Sequence, residues 1–161
     1  GFGIDLSDKM MAIGREKLAR QGLDRYITLR HGNVNQVPFN NNTFDTVTIA
    51  FGIRNTEDPP RVLREMYRVL NVGGRGLILE FSLPQNKVIR SAHSLYLRRI
   101  VPLIGGIVTE QFAAYRYLNR TIETFPHGND FCALMKRSGF ENVTAYPLLF
   151  GTASIYRGDK L

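Results

Sequence analysis

An α/β domain, built on a mostly parallel sheet whose last strand runs antiparallel, is the fold class that this sequence predicts. Three observations carry the prediction. Short, β-branched apolar runs alternate with stretches of helical period, giving strand, helix, strand, strand, helix, strand as far as Phe81. The 161 residues, 43% hydrophobic and 22% charged, suit one domain with a sizeable core. The last two apolar runs, 143–149 and 152–156, are separated only by Phe150 and Gly151, a spacing that pairs neighbours antiparallel.

The chain opens on GFGID, residues 1–5, which reads as the last half of a strand with no element and no initiator Met before it, so a fragment is expected. A helix follows from Ser7, its N-cap, with Asp8 in the first turn, Met10, Ile13 and Leu18 on its buried side and Gly22 as its stop. Residues 27–29 form a short strand, and Pro38 with the Asn40 to Asn42 run keeps 31–44 in a loop. In FDTVTIAFGIRN, residues 44–55, Val47, Ile49 and Phe51 are apolar at period two, so a buried strand is expected that Gly52 breaks. In a parallel sheet, Gly52 to Asn55 would face the crevice where ligands bind; an ordinary surface turn reads equally well from this segment alone.

Asp58 caps a second helix with Pro59 at its first position, Val62, Leu63, Met66, Val69 and Leu70 as its buried stripe, and Gly73 and Gly74 at its end. GLILEF, residues 76–81, is another buried strand. Residues 87–125 are helical in pattern but interrupted at Pro102 and Gly105-Gly106, an insertion expected to cover the carboxyl edge of the sheet as a lid. A helix over 129–138, closed by Gly139, leads into the final hairpin.

Composition narrows the function classes. The net charge of +7 admits nucleic acid, an anionic membrane surface or an acidic ligand. Lys87, Arg90, Arg98, Arg99, Arg116 and Arg120 are interleaved with apolar and tyrosine-rich stretches, a mixture that suits lipid headgroups or an amphiphilic substrate better than a phosphate-tracking groove, while solvated helix faces account for such charges equally simply. No RNA-binding motif accompanies them, so nucleic acid is not expected as a partner. The lone Cys132 excludes an internal disulfide and reads as part of a packed helix face. His31, His93 and His127 lack metal-ligand spacing, so no metal is expected, and neither a P-loop nor a G-x-S-x-G is present.

Two positions stand out beside the FGIRN turn. Asp5 ends a strand where an acid can accept ribose hydroxyls, although it is also a good cap residue. Asn33 could offer its carbonyl to an exocyclic amine and the backbone of Val34 could meet a ring nitrogen, or Asn33 is simply a turn residue.

GIDLSDKMMAIGREKL, NVNQVPF, FDTVTIAFGIRN, MYRVLNVGGRGLILEFS and YLNRTIETFP together resemble the UbiE/COQ5 methyltransferases, the C-methylating enzymes of ubiquinone and menaquinone biosynthesis, over nearly the whole chain. The resemblance implies a class I, S-adenosylmethionine-dependent, Rossmann-like fold with a mostly parallel seven-stranded sheet, as one domain over 1–161 with 87–125 as its lid. It places the family's first strand and glycine-rich cofactor loop outside this sequence, which is therefore expected to hold S-adenosylmethionine poorly by itself. Asn71-Val72 stands where the family has Lys-Pro, and Val34 where it has Ala.

By the same resemblance, Asp5, Leu6, Asn33, Val34 and Ala50 would bind S-adenosylmethionine, and Phe51, Gly52, Tyr115 and Tyr117 the substrate. That substrate would be a polyprenyl methoxybenzoquinol or demethylmenaquinol. Arg54 and Asn55 would be catalytic, Arg54 stabilising a phenolate or orienting a water and Asn55 orienting the ring hydroxyl. The structural alternative for Arg54 is an ion pair with Glu57 or Asp58. Implied partners are the quinol, an anionic membrane surface, other quinone-biosynthesis proteins and a second copy. The implied location is cytoplasmic or peripheral to the inner membrane in a bacterium, or the matrix side of the mitochondrial inner membrane. A non-catalytic scaffold subunit of a quinone-biosynthesis complex is the competing reading.

Overall fold

The computed structural model describes residues 1–95 and 120–161. Strand β1 (Phe2–Asp5) leads into helix α1 (Asp8–Arg20), where the Ser7 Oγ accepts the Met10 N–H at 3.2 Å, the cap that the sequence announces. The buried face of α1 differs from the one expected. Met11 is 4% exposed, whereas Met10 and Ile13 are 56% and 39% exposed. The contact that sets this face is a glycine: a Cβ on Gly14 would lie 2.7 Å from Leu29 Cδ1, so Met11, Gly14 and Leu18 turn toward the sheet. A stripe counted only from large side chains misses it.

Strand β2 (Thr28–His31) pairs parallel with β1, one residue later than the apolar run suggests. Strand β3 (Phe44–Ala50) then pairs parallel with β4 (Leu70–Phe81), and helix α2 (Pro59–Val69) crosses between them. The Asp58 carboxylate caps α2 by accepting the Arg61 N–H at 3.0 Å, and Val62, Leu63, Met66, Val69 and Leu70 are all buried, as read from the sequence. Gly73 and Gly74 do not end the helix. It stops at Val69, and the strand starts at once with a bulge opposite Asp45, where a Cβ on Gly74 would sit 2.8 Å from the Asn71 carbonyl oxygen.

A helix that passes directly into a strand leaves its last carbonyls without intrahelical donors. The Asn42 and Thr43 N–H groups take those of Arg68 and Val69, and Lys160 takes others, its Nζ donating to the carbonyls of Tyr67 at 3.0 Å and Leu70 at 2.8 Å and to Asn42 Oδ1 at 2.8 Å. Lys160→Met keeps the apolar stem and removes the donors, and is expected to lower unfolding free energy by about 1–3 kcal/mol in urea titrations.

Helix α3 (Lys87–Leu95) follows β4, and helix α4 (Asn129–Arg137) precedes the hairpin of β5 (Glu141–Leu148) and β6 (Ala153–Asp159). β6 pairs antiparallel with both β4 and β5, the antiparallel last strand expected from the sequence. Asp159, near the end of β6, accepts from Arg75 and Arg157 at 3.0 Å each, and these bonds hold its carboxyl below the ordinary carboxylate range. A bond to Arg68 does the same for Glu65 on α2. Both groups are acids with depressed values in the fold. Their stabilisation is therefore full at neutral pH and is lost as pH falls through the carboxylate range. Urea midpoints measured from pH 7 down to about 3 are expected to fall, and to fall less steeply in Asp159→Asn.

The described residues hold six strands in two groups, β1-β2 and β3-β4-β6-β5, where the family likeness implied a single seven-stranded sheet. At their amino ends the two groups meet through Phe2, Phe39 and Phe44, with Phe39 ring centroids 5.2 and 4.9 Å from the other two. Along their whole length, from Phe2 and Phe44 to Asp5 and Ala50, the facing edges of β1 and β3 line a cleft of about 760 Å³. The core gathers Ile78, Phe140 and Tyr156 with residues of α2 and α4, and its members Val62 and Met66 also border the cleft.

Candidate functional site

The turn after β3 is built around a buried anchor. Phe51, expected inside the strand, lies beyond it with φ +52°, a left-handed conformation that is strained for an aromatic residue and typical of functional turns. Its N–H still donates to the Leu79 carbonyl at 2.8 Å. The reversal drives Ile53 fully into the core as the first residue of a 3-10 turn, Ile53–Asn55. With Ile53 fixed inward, the next two side chains diverge.

Asn55 faces the cleft between β1 and β3, together with Asp5, Leu6, Val34, Ala50 and Gly52. Six of the residues marked in the sequence thus line this cleft, from both of its sides. The Asp5 carboxylate sits at the carboxyl end of β1 with Oδ1 accepting the Ser7 N–H at 2.7 Å. The Leu6 carbonyl is held by His31 Nε2 at 3.0 Å, with the ring nitrogen as donor. Asn33 is not among them; its Oδ1 accepts the Asn35 N–H at 2.8 Å, the turn arrangement that was its simpler reading, and retains one lone pair. A long, partly apolar cleft with an acid at a strand end suits a ribonucleoside: the carboxylate can accept ribose hydroxyls and Leu6 and Val34 can flank a base.

Arg54 turns the other way. Its Nη1 donates to Glu80 Oε1 at 2.7 Å and to the Phe51 carbonyl at 2.9 Å, and its guanidinium carbon lies 4.9 Å from the centre of the Phe81 ring. Phe81 stacks in turn on Phe51 at 4.6 Å. The pair is buried, with side chains 7% and 1% exposed. The sequence suggested Glu57 or Asp58 as an ion-pair partner; the structure corrects this to Glu80, because β3 and β4 are neighbours and their carboxyl ends coincide, while Asp58 is engaged in capping α2. Arg54 also lines a smaller cavity of about 310 Å³ with Pro59, Pro60, Thr124 and Phe125. Phe51 borders neither cavity's described wall. Tyr115, Tyr117 and most of the expected lid lie outside the described residues.

Glu80 and Tyr156 were missed in the sequence. A carboxylate inside the apolar run GLILEF was the available signal, since an acid is almost never fully buried without a partner. Tyr156, 1% exposed, accepts the Gly128 N–H at 2.8 Å, and burial pushes its hydroxyl above the ordinary tyrosine value. Ser82 and Ser154 share a hydrogen bond of 2.9 Å beside it, so the carboxyl end of β4 carries a buried polar cluster. Burial likewise raises the Cys132 thiol, in keeping with a packed rather than a reactive cysteine.

The sequence profile of the ubiE/COQ5 methyltransferase family matches residues 2–160. A protein of Geobacter sulfurreducens named ubiquinone/menaquinone biosynthesis C-methyltransferase UbiE is 44% identical over 158 residues, covering 98% of this chain and 61% of that protein. A protein of the same name from Cronobacter sakazakii is 40% identical over 156 residues, covering 97% of this chain and 62% of its own length. The chain therefore spans about three fifths of these relatives. Among solved structures, PigF with SAH aligns at a TM-score of 0.67 with 20% identity, over 99% of this chain and 48% of that one. A SAM-dependent methyltransferase of Thermotoga maritima aligns at 0.64 with 18% identity, over 99% and 72%. At these identities the structural likeness speaks for the fold.

Proposed function

Because the chain belongs to the ubiE/COQ5 methyltransferase family, we propose that it supplies the acceptor side and one wall of the cofactor cleft of an S-adenosylmethionine-dependent enzyme that C-methylates a polyprenylated quinol. The observation that carries the reading is the split turn: Asn55 in the cleft with Asp5, and Arg54 on the turn's other side, held on a buried carboxylate at the edge of the smaller cavity. The cleft fits the cofactor on this structure's own terms, since it offers a carboxylate at a strand end, apolar flanks and backbone close to Gly52. Asp5 would hold the ribose, and Leu6, Val34 and Ala50 would enclose the nucleoside.

When bound, S-adenosylmethionine supplies a methyl group already activated for transfer. The chain's own task is to raise electron density on a ring carbon and to hold that carbon in line. A phenol with a pKa of roughly 10 is mostly neutral near neutral pH, so its ionised form must be favoured. Arg54 is cast as a stabiliser and not as a base; a ring oxygen that reaches its side of the turn would meet a guanidinium able to stabilise charge as it develops. Asn55, whose Nδ2 lies 3.4 Å from the Phe51 carbonyl, is placed to orient a ring hydroxyl from the cleft side. Gly52 would form the floor under the ring, with Phe51 behind it stacked on Phe81. The basic, apolar stretch around Lys87 and Arg90, with Tyr115, Tyr117, Arg98, Arg99 and Arg120, would receive the prenyl tail and rest on a membrane surface. No helix among the described residues is long and apolar enough to cross a membrane.

The test is transfer of a labelled methyl group from S-adenosylmethionine to a demethylated polyprenyl quinol by the full-length protein. Product carrying the label on a ring carbon is expected. Cofactor binding without transfer to any quinol would leave the scaffold reading in its place.

A further inference from the structure

Resting on the proposed quinol methylation, we infer that Glu80 is the positioning residue that holds the Arg54 guanidinium for the acceptor. Glu80 lies on β4, and its Oε1 accepts from both Arg54 Nη1 at 2.7 Å and the Phe81 N–H at 2.8 Å. The backbone thus fixes the carboxylate, the carboxylate fixes the guanidinium, and the Phe81 ring supports the guanidinium from one side. Such a mount has few degrees of freedom.

The pairing is also incomplete in a particular way. Arg54 Nε and Glu80 Oε2 are buried and meet no hydrogen-bond partner among the described residues. An ion pair serving only the fold is expected to close as a bidentate fork, because orphaned charged atoms are costly. Here one donor and one acceptor are left over, both buried, and of the two residues Arg54 borders the smaller cavity while Glu80 lies behind it. The charge balance points the same way: Glu80 cancels the guanidinium's charge in the resting site, so the cation can stay buried and oriented without being an isolated charge.

The groups facing Glu80 are Arg54 from the turn and, from β6, Ser154 opposite it in the ladder and Tyr156, whose hydroxyl lies within the field of Glu80 and of Cys132 on α4. Only Arg54 among them is a cation.

In the full-length protein, Glu80→Gln keeps an oxygen for the Phe81 N–H and removes the charge partner, while Glu80→Asp keeps the charge and withdraws it by one methylene. In Glu80→Gln, kcat is expected to fall about 10- to 100-fold through lost orientation. KM for S-adenosylmethionine should stay within about twofold, and Glu80→Asp should recover part of the rate. The acid limb of the pH–rate profile moves to lower pH, because an uncompensated guanidinium favours the ionised acceptor. Wild-type kcat in Glu80→Gln, or a loss that only tracks the folded fraction with an unmoved profile, overturns the assignment. A second measurement needs no turnover: rotation about the Arg54 Cζ–Nε bond, read from guanidinium nitrogen resonances, should be slow in the wild type and fast in Glu80→Gln. Equal rotation in both overturns the assignment as well. If the wild type methylates no quinol, it is the proposed reaction that fails, and the resonances still decide the role of Glu80.

Discussion

Arg54→Ala in the full-length protein is expected to lower methyl transfer by about 100- to 1,000-fold, the usual loss when a preorganised donor to developing oxygen charge is removed. Affinity for S-adenosylmethionine should change by less than about twofold, because Arg54 lines the small cavity and not the cleft that holds Asp5. The split between kcat and cofactor binding, measured by steady-state kinetics and calorimetry, is the diagnostic. Stability has to be controlled, since removing Arg54 leaves Glu80 as a buried carboxylate without its cation, which costs about 3–5 kcal/mol. Arg54→Ala/Glu80→Ala removes both charges and should recover much of that stability while leaving the rate low. A double variant that regains turnover would show that Arg54 only balances a charge. Arg54→Lys keeps the charge and loses the planar fork stacked on Phe81, so a partial rate is expected there.

Phe140→Ala is expected to be the most destabilising single core substitution, by about 3–5 kcal/mol in urea titrations. Phe140 is 2% exposed and fills a slot made by two glycines that face each other across the β4–β6 ladder, Gly76 and Gly158. A Cβ on Gly76 would lie 2.7 Å from Phe140 Cε1, and one on Gly158 would lie 2.8 Å from Phe140 Cβ. The ring therefore rests almost on the backbone of the sheet, with Tyr67 edge-on at 5.5 Å from the other side. Alanine opens a cavity that strand backbones cannot close by rotamer changes. The reciprocal change tests the same contact: Gly76→Val overfills the slot and should cost about 1–3 kcal/mol. A Phe140→Ala protein with an unchanged urea midpoint would show that the slot closes on itself.

Much of the fold was legible because its signals are local. Ser7 and Asp58 cap their helices through bonds that span only a few residues, and Val62, Leu63, Met66 and Val69 of α2, with Leu70 just past its end, are all buried. The antiparallel hairpin followed from the short separation of two apolar runs. Where the reading slipped, the deciding contact was distant in sequence or involved a residue that periodicity does not count. Gly14 set the face of α1 through Leu29, and Lys160 capped α2 from the far end of the chain. Asn71 bonds Asp45 across the bulge, so the glycines that looked like a helix stop belong to a strand.

The site divides along the same line. By itself the sequence determined which residues gather at the cleft, because Asp5, Val34, Ala50, Gly52 and Asn55 all lie at or past strand ends, and parallel neighbours bring their carboxyl ends to one side. Only the tertiary structure decided that Arg54 and Asn55 face different cavities and that Glu80 is the partner of Arg54. The physical reason is register. Ile53 must be buried, which sends its two successors apart, and the pairing of Ala50 with Leu79 sets Glu80 just beyond the last rung, under the turn. A slip of one residue in that ladder would turn Glu80 to the opposite face and leave Arg54 without its mount.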